Sequence, residues 1–74
     1  MVKGGKLGHI IKELRAARGL SQFDLAVKSG LGLSTLQKME QGKIADSQVR
    51  LETLQKLAAA LNMRPSEIVK LIDQ

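Results

Sequence analysis

The chain has 74 residues, 43% of them hydrophobic, and its twelve Lys/Arg against seven Asp/Glu give a formal net charge of +5. It contains no cysteine, which excludes disulfide staples and thiolate metal sites, and no run of about 18 apolar residues, which excludes a membrane-spanning helix. What remains is one small domain with an aliphatic core, because Phe23 is the only aromatic residue.

Residues 1–6, Met1-Val2-Lys3-Gly4-Gly5-Lys6, lack the apolar stretch of a signal peptide and predict a flexible basic arm on a cytoplasmic protein. The domain then occupies 7–74. Its first helix is predicted over Leu7–Arg18, with Leu7, Ile11 and Leu14 on one face and Gly19 as the stop. His9 is the only histidine and has no second metal ligand beside it, so it is expected to face solvent. Ser21 is a good N-cap for a second helix, since its hydroxyl can accept an unpaired backbone N–H. Phe23 and Val27, spaced i, i+4, point away from the Leu25-Ala26 face.

The stretch from Gln22 to Glu40 reads as two short helices joined by a tight turn. Ala26 is small enough for a second helix to cross close above the first, and Gly30 takes a positive φ where the chain reverses. Leu36 and Met39 give the second of these helices its buried face, with Leu25 and Leu31 closing the cluster. Counted from Gln22, the Ala, Gly and Leu fall at positions five, nine and fifteen, the spacing of a helix-turn-helix whose second helix lies in the DNA major groove. That third helix is predicted over Leu33–Gln41. Burial of Leu36 and Met39 leaves Leu33, Ser34, Gln37, Lys38 and Gln41 facing outward.

Gly42 is available for a left-handed cap, and a loop runs from Ile44 to Arg50. A fourth helix over Leu51–Leu61 would bury Leu51, Leu54, Leu57, Ala58 and Leu61, with Asn62 stopping it in the left-handed region. Pro65 suits the first turn of a fifth helix, whose Ile68, Val69, Leu71 and Ile72 are more apolar surface than so short an element can bury. Charge is unevenly spread. Residues 1–50 carry nine Lys/Arg and four Asp/Glu, whereas residues 51–74 carry three of each, so the net positive charge lies in the half with the helix-turn-helix and suits a polyanion.

Arg15, Gly19-Leu20-Ser21-Gln22, Leu25-Ala26, Gly30, Ser34-Thr35-Leu36, Glu40-Gln41-Gly42 and Leu54-Leu57-Ala58-Leu61, in this order and register, make the chain resemble the lambdoid phage repressor and Cro family of transcriptional regulators. The likeness runs from about Leu7 to about Ile72. It implies an all-α, compact five-helix domain that binds double-stranded DNA in a sequence-specific way, as a homodimer on a two-part site. By the same resemblance Gly32, Leu33, Ser34, Gln37 and Lys38 face bases, Gln22, Gln41, Lys43 and Arg50 contact phosphates, and Arg15 and Glu40 form a semi-buried ion pair. Val69 and Ile72 fall in the region where relatives dimerise.

Several residues depart from the family pattern. Gly32 and Leu33 offer no side-chain hydrogen bond to a base, and Gly32 stands where relatives place a capping Ser or Thr. Ser29 replaces an apolar residue in the last turn of the second helix and needs local backbone partners. Phe23 and Val27 replace polar side chains, which suggests a surface for a protein partner. A protein-interaction module with weak DNA binding, such as an antitoxin or adaptor, is the alternative reading. No nucleophile–base–carboxylate set, phosphate loop or metal cluster can be assembled, so no enzyme activity, cofactor or metal is expected.

Overall fold

The computed structural model describes residues 6–73. Its elements are α1 (Lys6–Ala17), α2 (Gln22–Ser29), α3 (Leu33–Glu40), a 3-10 turn (Asp46–Gln48), α4 (Leu51–Ala60) and α5 (Pro65–Ile72). The all-helical, five-helix architecture expected from the sequence is the one observed, with helix ends displaced by a residue. α1 opens at Lys6, the last residue of the expected arm, while the rest of that arm lies outside the described residues.

Local chemistry accounts for most of the boundaries. Ser21 Oγ accepts the Asp24 N–H at 2.9 Å and the Asp24 carboxylate accepts the Ser21 N–H at 2.9 Å, closing a reciprocal cap at the start of α2. The Ser21 backbone N–H, and after it the Ser21 side chain, hold the Asp24 carboxyl below its ordinary pKa. Gly30, at φ 75°, ends α2 in the left-handed region, and Asn62, at φ 60°, does the same beyond α4. Pro65 opens α5, and the Glu67 carboxylate accepts the Arg64 N–H at 2.8 Å.

α1 packs on α3 and α5, α2 on α3 and α4, and α4 on α5. Their apolar stripes meet in a single core of Leu7, Ile11, Leu25, Ala26, Leu36, Met39, Leu57, Ala58, Leu61 and Ile68. Each fully buried Leu or Ile contributes about 1.5–3 kcal/mol relative to exposure. Ser29 is buried in this core without an unmet polar atom, because its Oγ donates to the Ala26 carbonyl and accepts from the Leu31 N–H, both at 3.3 Å. Leu51 corrects the sequence reading. It is 65% exposed, since the first residue of α4 lies beyond the edge of the layer that Leu54 and Leu57 reach.

One contact sets how closely α1 and α3 approach. Gly8 is buried, and a β-carbon there would lie 1.7 Å from the Met39 carbonyl oxygen. Only the absence of a side chain allows α1 to lie against the backbone at the end of α3.

Candidate nucleic-acid interface

α3 divides cleanly by burial. Leu36 and Met39 are fully inside, while Leu33, Ser34, Gln37 and Lys38 form an exposed face, preceded by exposed Gly32. Gln41, Lys43 and Arg50 are also exposed and follow α3 in the chain, Lys43 just past its end and Arg50 at the N-cap of α4. This face carries amide, hydroxyl and ammonium groups, which can meet base edges and phosphates.

The C-terminal end of α3 is held by an ion-pair network. Arg15 Nε and Nη2 donate to Glu40 Oε2 and Oε1 at 2.8 and 2.9 Å, a two-pronged geometry that suits a planar guanidinium. Arg15 Nη1 donates to the Leu20 carbonyl at 2.9 Å, so the same side chain also ties the turn after α1. Gln22 Nε2 donates to Glu40 Oε1 at 3.0 Å, bringing α2 into the network. The Glu40 side chain is 2% exposed and that of Arg15 15%. Burial pushes the Glu40 carboxyl up, but the hydrogen bonds from Arg15 and Gln22, with the charge of Arg15, more than offset it and leave it below its ordinary value. The hydrogen bond to Glu40 likewise keeps Arg15 firmly protonated, against the opposing effect of burial.

The Arg15–Glu40 pair that the family resemblance implies is present. The donation from Gln22 to Glu40 was not anticipated, and it gives Gln22 a structural attachment beside its expected phosphate contact. A buried carboxylate has more lone pairs than one guanidinium fills, which is the only sequence signal that another donor was needed.

The N-terminal end of α3 is different. Gly32 is its N-cap and makes no side-chain capping bond, as its identity predicted. The segment after α3 turns back through Gly42, at φ 75°, and its 3-10 turn places Asp46 Oδ1 2.9 Å from the Leu7 N–H. That contact spans 39 residues and was invisible in the sequence. Ile44 and Val49 pack on the core from the same segment.

The remaining predicted positions are on α1, α2 and α5. Phe23 and Val27 are 64% and 65% exposed on α2. Val69 is 42% exposed, whereas Ile72 is half-buried against the core. His9 faces solvent as expected, with Nε2 3.3 Å from the Glu13 carboxylate. Among the described residues no group of His, Cys, Asp or Glu is arranged to hold a metal, and no helix is long and apolar enough to cross a membrane.

Comparison with known families identifies residues 10–74 as a Cro/C1-type HTH DNA-binding domain. The fold is similar to that of the restriction-modification controller protein C.AhdI from Aeromonas hydrophila, with a TM-score of 0.76 and 43% sequence identity. That similarity covers 85% of this chain and 91% of the controller protein. No curated protein matches by sequence.

Proposed function

The chain belongs to the Cro/C1-type helix-turn-helix family of DNA-binding transcriptional regulators, and from that premise we propose that it reads a two-part operator as a homodimer. The observation that carries the reading is the exposed face of α3, followed in the chain by exposed Gln41, Lys43 and Arg50 and backed by a fully buried Leu36 and Met39. In this reading α3 enters the major groove. Lys38 reaches guanine acceptors, Gln37 pairs with adenine, Ser34 serves either, Leu33 touches a thymine methyl, and Gly32 brings backbone near the bases. Gln22, Gln41, Lys43 and Arg50 hold phosphates, with Gln22 also offering its backbone N–H at the start of α2.

The dimer contact is assigned to α5 around Val69 and Ile72. The exposure of Val69 supports this more strongly than the half-buried position of Ile72. The likeness to a restriction-modification controller supports genes of that kind as the regulated targets, and cytoplasmic DNA as the site of action. Phe23 and Val27 favour a second surface for a protein partner, because two large apolar side chains lie bare on one helix face. Phe23→Glu should abolish capture of that partner without changing DNA affinity; equal loss of both would remove the proposal.

In vitro selection of duplex DNA from a random pool near physiological salt tests the main reading. Enrichment of an inverted repeat with half-sites about one helical turn apart is the expected result. Bound DNA without enrichment would limit the chain to phosphate contacts, and no retention would favour the interaction module. On the enriched site, Lys38→Ala should relax one base position by about 1–3 kcal/mol. An unchanged preference would remove Lys38 from the readers.

A further inference from the structure

We propose that Asp46 is a positioning residue for DNA binding, holding residues 43–50 against the start of α1 so that Lys43 and Arg50 meet the DNA backbone together. The inference rests on the reading of Lys43 and Arg50 as phosphate contacts. Asp46 Oδ1 accepts the Leu7 N–H at 2.9 Å. The other hydrogen bonds of this segment among the described residues stay within it or run to the helices it adjoins. Lys43 N–H donates to the Lys38 carbonyl, Ala45 N–H to Gln48 Oε1, and Val49 N–H to the Asp46 carbonyl. Ile44 and Val49 anchor the segment by packing, so the Asp46 carboxylate is what fixes the turn between them to another part of the fold.

Electrostatics favours this placement. The first-turn N–H groups of a helix have no acceptor within it and form the positive end of its dipole. α1 carries no acidic residue in its own first turn, and Asp46 supplies that charge from across the chain. A carboxylate between Lys43 and Arg50 would otherwise repel a phosphate. Bonded to the Leu7 N–H, it keeps its negative charge but is held against the positive end of α1.

The test is the salt dependence of binding to a labelled duplex of mixed sequence, between about 50 and 200 mM salt, for the full chain and its variants. Each lost phosphate contact lowers the slope of log K against log salt by about 0.9, which is about a threefold change in affinity across that range. Lys43→Ala and Arg50→Ala should each flatten the slope by about one contact. Asp46→Ala should flatten it by about one to two contacts while the protein stays folded, and Asp46→Asn, whose amide oxygen still accepts, should restore it. Wild-type slope or tighter binding in Asp46→Ala, with the two cation variants flattened, overturns the inference alone. If neither cation variant changes the slope, the phosphate reading fails and the inference falls with it. Should Asp46→Ala not fold, amide exchange in the wild-type chain decides. A Leu7 N–H protected in the free protein and further protected on the duplex supports the role, and an unprotected one overturns it.

Discussion

The two ends of α3 are built by different rules. Its C-terminal end is locked: Glu40 is gripped by Arg15 and Gln22, and Met39 lies against the glycine surface of α1. Its N-terminal end starts at an uncapped Gly32, followed by an exposed Leu33. A helix presented to DNA must be held from behind, because its outer face has to stay free of intramolecular partners. Here the side-chain hydrogen bonds that hold the helix are concentrated at its last turn, and its first turn has no side-chain cap.

The largest expected effect attacks the locked end. Glu40→Ala leaves Arg15 without its partner in a mostly buried site, and should cost about 3–5 kcal/mol of unfolding free energy, measured by urea denaturation. A cost similar to that of an exposed pair, under about 1 kcal/mol, would dissolve the contrast between the two ends. Gly8→Ala comes next. The added β-carbon has to displace the Met39 backbone rather than a flexible side chain, so a loss of about 3 kcal/mol is expected. DNA affinity should fall as well, since the end of α3 is pushed outward. Unchanged affinity in a folded Gly8→Ala would show that this crossing does not orient the helix.

Acid sharpens the same point with a smaller effect. The folded-state pKa of Glu40 is depressed, so its contribution to stability is fully present above its ordinary value of 4.5. It is lost as pH falls through the lower folded value. Wild-type unfolding free energy should therefore decline below about pH 4.5, and Glu40→Gln should show a flatter profile in that window. Identical profiles would mean that other carboxylates carry the acid sensitivity.

The smallest effect concerns the uncapped end. A serine at position 32 has room, the nearest atom to its β-carbon being Thr35 Oγ1 at 3.8 Å, and the backbone is already extended there. Gly32→Ser should raise stability by a few tenths of a kcal/mol, about 0.3, by capping the first turn. A calorimetric melting curve would register it, and no gain would mean that the first turn is already as firm as a capped one.

The helix-turn-helix was legible in the sequence because its key residues each have one physical job. Gly30 takes the positive φ, Ala26 allows the crossing, Ser21 caps α2, and Leu36 with Met39 marks the inner face of α3. The Arg15–Glu40 pair came from family resemblance and not from any local pattern. Leu51 shares the helical register of Leu54 and Leu57 yet is exposed, because register says nothing about where a core ends. Gly8 carries a sequence signal of its own. A glycine inside an amphipathic helix loses about 1 kcal/mol relative to alanine and usually has a packing reason.

The sequence by itself determined the helices, their caps and turns, the apolar stripes and the outward set on α3. These follow from interactions within a few residues, where backbone geometry dictates the distances. The tertiary structure decided the rest: how closely α1 approaches α3 at Gly8, where the Gln22 amide is engaged, and which helix start the Asp46 carboxylate satisfies. Those pairings join residues far apart in the chain. Periodicity reports only the face a side chain occupies, and its partner is chosen when the helices pack.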